Sequence, residues 1–275
     1  MSWAHLAHPR LFAAKALGRI QRRWITPPDS RVALINGRVQ FEHRRLSFLN
    51  DGDYRAMLTR SYDIVLCDFL KRHLVPGDIV LDAGANVGYI SAVCGSRVGT
   101  TGEVHSFEPL RECFARLQYM RQLNPTLQIF CNNFALGSQE GMLAIGFDPA
   151  GESRNATLVP GYNTPTRYEV PVKRLDAYIK ESITRPESIK LIKIDVEGFE
   201  FAVLQGLEAF LAGTACRPLI VVEIKPWDVV KLGYKMADLE SYMRRFGYEA
   251  YDLVDENRRI DLRAMTEMEV VLFRV

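Results

Sequence analysis

From residue 79 onward, short unbroken apolar runs alternate with longer stretches whose apolar positions recur every three to four residues. Unbroken runs of this length bounded by turn residues predict buried strands, and the 3.6-residue period predicts helices. Strands are predicted at IVLDA (79–83), EVHSFE (103–108) and QIFCNNFAL (128–136), with helices at 89–97 and 109–122 between them. A hairpin-like stretch, MLAIGF (142–147), precedes residues 148–171, which are rich in Gly, Pro, Asn, Ser and Thr and have no period. So long an irregular segment inside a domain predicts a lid or binding loop. The rhythm resumes with IKLIKID (189–195), a helix at 199–211, PLIVVEI (218–224), a helix at 228–246, YEAYDL (248–253) and EVVLFRV (269–275). Alternating strands and helices imply a parallel, doubly wound α/β sheet. The last two strands have no clear helix between them, which predicts an antiparallel terminal strand.

Upstream, Asn36-Gly37 between the runs VALI and RVQF predicts a β-hairpin, since both residues tolerate positive φ. A helix is predicted over 53–73. Residues 11–25 form an amphipathic helical pattern in which Phe12, Ala16, Ile20 and Trp24 share an arc beside Lys15, Arg19, Arg22 and Arg23. The expected organisation is a basic appendage, helix plus hairpin, over residues 1–50 and one catalytic domain over 51–275.

The 275 residues are 48% hydrophobic and carry a net charge of only +2, which excludes a disordered chain. No run approaches the ~20 apolar residues of a membrane span. The charge is uneven, however. Residues 1–45 hold nine Lys and Arg against two acids, so the remainder is net acidic. A nucleic-acid partner, which wants a basic stripe across the folded body, is therefore not expected. The basic helix suits either peripheral contact with an anionic membrane surface, or packing on its own domain or in a homodimer. Lys15 and Arg19 interrupt any signal-peptide core, although an Arg-rich start also fits an organellar transit peptide. The five cysteines show no C-x-x-C pair and no framework spacing, which argues against disulfides or zinc and for a reducing compartment. The expected location is the cytoplasm, with peripheral placement at the inner membrane surface if the basic helix binds it.

The candidate chemistry begins at Leu81-Asp82-Ala83-Gly84-Ala85-Asn86-Val87-Gly88, where a strand gives way to a helix. Open α/β sheets bind ligands at this point. Gly84 permits a tight turn with backbone close to a ligand, and Gly88 permits close packing against a strand. Asn86 stands where a dinucleotide fingerprint would place its second glycine, which disfavours NAD. Asp82 at the strand end suits a cationic ligand and repels a pyrophosphate. Glu108, ending the next strand ahead of Pro109, can accept hydrogen bonds from ribose hydroxyls. Together these residues read as an S-adenosylmethionine site. Asn132 or Asn133, at the third strand end, is the candidate for adenine. The structural alternative makes Asp82 and Glu108 caps of the following turns.

The same segments, with Ala135-Leu136-Gly137, Lys193-Ile-Asp195-Val-Glu197-Gly-Phe-Glu200 and Val221-Val-Glu223, resemble the FkbM-type S-adenosylmethionine-dependent methyltransferases over roughly residues 75–225. The resemblance implies a seven-stranded, Rossmann-like class I fold and O-methylation of a hydroxyl. Cofactor contacts are expected from Asp82, Gly84, Ala85, Asn86, Gly88, Glu108, Pro109, Asn133 and Asp195. Residues 1–50 and the identity of the acceptor lie outside it.

An alcohol needs its proton removed before it attacks, so a base is expected. His5, His8 and His43 fall in the appendage, His73 before the sheet and His105 within a strand, which leaves carboxylates. Asp195 and Glu197 are the candidate bases, with Lys193 as a neutralising partner and Glu200 as a helix-end residue. A magnesium ion is not expected; if one binds, Asp195, Glu197 and Glu223 are its candidate ligands. Arg154, Asn155, Tyr162 and Arg167 in the irregular loop, together with Trp227, are expected to shape a pocket for a hydroxyl-bearing small molecule, glycan or glycolipid. Two other classes remain open: an N-methyltransferase acting on a peptide or nucleic acid, and a non-catalytic cofactor-binding scaffold at a membrane surface.

Overall fold

The computed structural model describes residues 30–46, 49, 51–148, 156–162, 164–213 and 216–275. The amphipathic segment 11–25, Arg154 and Asn155 lie outside the described residues. Asn36 (φ 51°) and Gly37 (φ 70°) turn the chain between strands β1 (Ser30–Ile35) and β2 (Val39–Arg44), which pair antiparallel with Ile35 opposite Val39. The hairpin's inner face, with Ile35, Val39 and Phe41, enters the same hydrophobic core as the helix Tyr89–Val98. Polar contacts reinforce the docking. Asn36 Nδ2 donates to Ser96 Oγ at 2.8 Å, and the Asn124 amide bonds both the N–H and the carbonyl of Gln40 at 2.8 Å.

His43, on the same face, is buried against Phe41 and Tyr89. Burial first, then Arg31 and Arg60, push its imidazole down to about 4. The unfolded chain takes up that proton near the ordinary value while the folded chain resists it. Stability is therefore full above pH ~6.5 and falls as the pH drops from there towards 4, by on the order of 1–3 kcal/mol. We expect His43→Phe to flatten this acid limb in thermal melts recorded between pH 7 and pH 4; an unchanged limb would place the titrating group elsewhere.

The helix predicted over 53–73 is two helices, Asp51–Leu58 and Ile64–His73. Arg60 (φ 58°) and Asp63 (φ 39°) adopt left-handed backbone between them, and Asp63 caps the second helix by accepting from Leu66 N at 3.4 Å. This break sets Tyr62 and Asp63 against the sheet's ligand-binding edge.

Seven strands form the main sheet: β3 (Ile79–Ala83), β4 (Glu103–Phe107), β5 (Gln128–Asn132), β9 (Ile189–Ile194), β10 (Leu219–Ile224), β11 (Glu249–Asp252) and β12 (Glu269–Arg274). Their order is β11-β12-β10-β9-β3-β4-β5. The pairs from β10 to β5 are parallel, whereas β12 runs antiparallel between β10 and β11. The expected α/β class, with an antiparallel terminal strand, is what the chain adopts. Helices cover both faces, so the strands are buried on both sides and read as continuous apolar runs rather than as an alternation.

Elsewhere the prediction needs correction. The strand predicted over 128–136 ends at Asn132, because the Asn132 and Asn133 amides donate to the Ser106 and Glu108 carbonyls, at 3.2 and 2.8 Å, and turn the chain out of the sheet. Beyond that turn β6 (Ala135–Leu136), β7 (Gly141–Phe147) and β8 (Thr166–Lys173) build a second, three-stranded sheet in the order β6-β8-β7. Residues 166–171 therefore belong to a strand and not to the irregular loop. The helix Leu175–Ser182 was not anticipated. The helix predicted over 228–246 divides at Gly233 (φ 84°) into Pro226–Lys231 and Met236–Arg245, and that over 199–211 divides into Glu200–Gln205 and Glu208–Gly213. Among the described residues no helix is long and apolar enough to cross a membrane, and no disulfide joins the five cysteines.

Candidate active site

The order of the sheet reverses between β3 and β9, and a cavity of about 490 Å3 opens there, beyond the carboxyl ends of the strands. Gly84 (φ 75°) makes the floor possible. A Cβ at this position would stand 1.8 Å from the Asp195 carbonyl oxygen, so only glycine lets the ends of β3 and β9 close on each other. The close approach that requires Gly84 is thus to a neighbouring strand. Gly88 (φ 88°) likewise packs against a helix rather than a strand: a Cβ there would meet Leu117 Cδ1 at 2.9 Å, on Arg111–Leu123.

Glu108 stands in the cavity wall with both carboxylate oxygens directed by backbone: Asn86 N donates to Oε2 and Leu110 N to Oε1, each at 2.8 Å. Burial pushes its carboxyl up to about 7 against these two hydrogen bonds. Asn86, in left-handed backbone (φ 50°), therefore orients the acid as well as forming the turn. Asn133 braces this corner from outside, its amide donating to the carbonyls of Glu108 and Pro109 at 2.8 and 3.2 Å.

Beneath the glycine turn lies a buried ion cluster. Lys193 Nζ is 3.3 Å from Asp82 Oδ1 and 3.4 Å from Asp195 Oδ2, and it donates to the carbonyls of Ala83 at 3.3 Å and Gly84 at 2.8 Å. Burial works against the ammonium, but Asp195 and Asp82 outweigh it and hold it protonated. Asp82 is fully buried and also accepts from Ser91 Oγ at 2.6 Å. It sits behind the cavity wall, where it fixes Lys193 and hence the two carbonyls of the turn.

The far side of the cavity is a second ion cluster. Lys225 lies between Glu197, with which it makes a close ion pair, and Glu223 Oε1 at 3.4 Å. Burial first and the Asp195 charge second raise the carboxyls of Glu197 and Glu223 well above the ordinary carboxylate range, even with Lys225 beside them. Glu197 occupies a strained left-handed position (φ 56°) in a turn that Glu200 holds in shape by accepting from Val196 N at 3.0 Å and Gly198 N at 2.9 Å. Thr157 Oγ1 pins the Glu197 carbonyl at 2.6 Å. The Lys225 ammonium takes the place between Glu197 and Glu223 that a divalent ion would need. No group of three or more His, Cys, Asp or Glu that could hold a metal occurs among the described residues.

Of the sequence-predicted residues, Gly84, Ala85, Asn86, Glu108, Pro109, Asp195, Glu197 and Glu223 line the cavity; Asp82, Gly88 and Asn133 support it from behind. Tyr162 and Arg167 are not among the residues that line the cavity. Tyr162 donates to Asp228 Oδ1 at 2.5 Å, and Arg167 to the Tyr162 carbonyl at 2.7 Å. The loop instead presents Ala156 and Leu158 to the cavity, and Trp227 is half-exposed outside it. Sequence reasoning missed Met57, Tyr62 and Lys225. The first two lie far upstream of any motif, but a lysine two residues after a strand-end glutamate was a readable ion-pair signal.

Residues 82–250 match the sequence pattern of the methyltransferase FkbM domain, which is more than half of the chain. The chain belongs to the FkbM methyltransferase family. The glycine turn followed by Glu108 offers the close backbone and the hydrogen-bond acceptor that an S-adenosylmethionine site needs. Among curated proteins the chain is similar to hexuronic acid methyltransferase AglP of Haloferax volcanii, with 29% identity over 56% of this chain and 61% of that protein. It is also similar to methyltransferase 1 of Beauveria bassiana, with 27% identity over 47% of this chain and 58% of that protein. The chain thus spans about three fifths of the length of each of these two relatives. A solved FkbM methyltransferase from Methylobacillus flagellatus covers 83% of this chain and 56% of its own, at 15% identity and a TM-score of 0.44.

Proposed function

We propose that the chain methylates a hydroxyl group of a small molecule or glycan, with Glu197 as the base that takes the proton. The observation carrying this reading is the Glu197, Lys225 and Glu223 cluster, which lines the same cavity as the glycine turn and Asp195. S-Adenosylmethionine, when bound, supplies a methyl group on a positively charged sulfur. Gly84, Ala85 and Asn86 offer close backbone, Glu108 accepts from ribose hydroxyls, and Pro109 and Phe134 supply apolar wall. Asp82 acts through Lys193, which keeps the turn carbonyls in place. A carboxyl raised by burial and by Asp195 is a stronger base than an exposed one and is matched to a hydroxyl proton near neutral pH. Lys225 steadies the Glu197 carboxylate, and Asp195 lines the cavity beside the glycine turn. The similarity to a hexuronic acid methyltransferase supports a sugar among the candidate acceptors. Five cysteines joined by no disulfide fit a reducing compartment such as the cytoplasm.

Two measurements test this. Incubation with methyl-labelled cofactor and a panel of hydroxyl-bearing glycosides should place the label in an O–CH3 group by NMR; label found only on nitrogen, in amine-bearing controls, removes the hydroxyl assignment. Calorimetric titration with S-adenosylhomocysteine should show at least roughly tenfold weaker binding for Glu108→Gln, since a carboxylate accepting hydrogen bonds is worth about 1.5–3 kcal/mol. Unchanged affinity would remove Glu108 from the ribose site.

A further inference from the structure

Six carboxyl groups face the cavity among its described residues, those of Asp53, Asp63, Glu108, Asp195, Glu197 and Glu223, against two ammonium groups and neither arginine nor histidine. Both ammonium groups are engaged within the wall. Lys193 is held by Asp82, Asp195 and the carbonyls of Ala83 and Gly84, and Lys225 by Glu197 and Glu223. An anion entering this space would lose water and meet Asp195 and, as pH rises through the neutral range, ionised Glu197 and Glu223, with both cations already committed to carboxylates. Fields inside such a cleft are screened far less than at an open surface. A cation, or a neutral group that donates hydrogen bonds, meets the opposite situation.

We propose that the acceptor chamber selects by charge, taking a hydroxyl-bearing acceptor that is uncharged or cationic near the reacting oxygen and excluding uronates and phosphates. The proposal rests on the hydroxyl-methylation reading and narrows it. It separates this chain's acceptor from the one named for the Haloferax relative. Asp195, Glu197 and Glu223 are the specificity-determining groups because they surround the place where acceptor oxygen and methyl group must meet. The same negative field favours the cationic cofactor over its neutral demethylated product, so discrimination between those two reports on the chamber without any acceptor present.

The deciding experiment is therefore a binding ratio. At low salt, sinefungin, which carries an amine where S-adenosylhomocysteine has neutral sulfur, is expected to bind at least tenfold more tightly. The advantage is expected to shrink severalfold in a Glu197→Gln/Glu223→Gln variant that still binds S-adenosylhomocysteine. Equal affinities in the wild type, or an advantage untouched by the double variant, overturn the proposal. Absence of binding by either compound would count against the cofactor site itself. A matched trio of p-nitrophenyl glucoside, glucosaminide and glucuronide then tests the acceptor directly. Turnover of the glucuronide at or above the glucoside overturns the proposal. Failure of all three counts against methylation of such sugars, and the binding ratio still decides the charge preference.

Discussion

Glu197→Gln is expected to lower kcat by roughly 10²–10⁴-fold, the usual contribution of a positioned general base, while S-adenosylhomocysteine affinity stays within a few-fold. The change keeps the shape of the side chain and its place in the turn that Glu200 and Thr157 hold, so what is lost is the charge, and with it the capacity to accept a proton and the ion pair with Lys225. The pH profile sharpens the test. Burial and Asp195 raise the Glu197 carboxyl, so the fraction able to accept a proton grows as pH rises through the neutral range. Wild-type kcat should therefore climb with pH there, and the residual rate of Glu197→Gln should lose that limb. Near-normal turnover in the variant, with the limb intact, would transfer the role to Asp195, for which Asp195→Asn is the companion measurement.

Lys193→Met is expected to be the most destabilising single change at the site. Removing one partner of a buried ion pair typically costs about 3–5 kcal/mol, because the other charge is left uncompensated. Here the stranded charge is Asp82, fully buried and, among the described residues, otherwise held only by Ser91, with Asp195 nearby. At roughly 2–4 °C per kcal/mol for a domain of this size, Tm should fall by about 6–20 °C. The double variant Asp82→Asn/Lys193→Met removes both charges and should recover a substantial part of that loss in denaturant titrations. Recovery identifies the penalty as electrostatic. A double variant as unstable as the sum of the singles would show that Lys193 acts through packing alone.

What was legible in the chain follows the range of the forces involved. Strands such as Ile79–Ala83 and Ile189–Ile194 could be read because burial on both faces of a parallel sheet demands an unbroken apolar run. The Asn36-Gly37 hairpin could be read because positive φ has a short roster of tolerant residues. Failures cluster where a local period continues through a break imposed from elsewhere. The helical pattern over 53–73 does not reveal that Arg60 and Asp63 turn left-handed between two helices, a geometry that packing of Tyr62 against Tyr89 supports. The run at 128–136 does not reveal that two asparagine amides leave the sheet to satisfy backbone carbonyls.

The site divides in the same way. By itself the sequence determined the α/β class, the family motifs and the strand ends that carry Glu108, Asp195, Glu197 and Glu223, because each acid lies next to a recognisable run or turn. Tertiary structure alone decided what each acid does. Asp82, within β3 and opposite Ser106, is sealed against Lys193, whereas Glu108, one residue past the end of β4, opens to the cavity. Lys225 became the counter-ion of two glutamates, and Asp53, Tyr62 and Asp63 joined the cavity from more than twenty positions upstream of its first motif residue, Gly84. Desolvation and Coulomb interaction depend on distance in space, which a one-dimensional pattern does not contain.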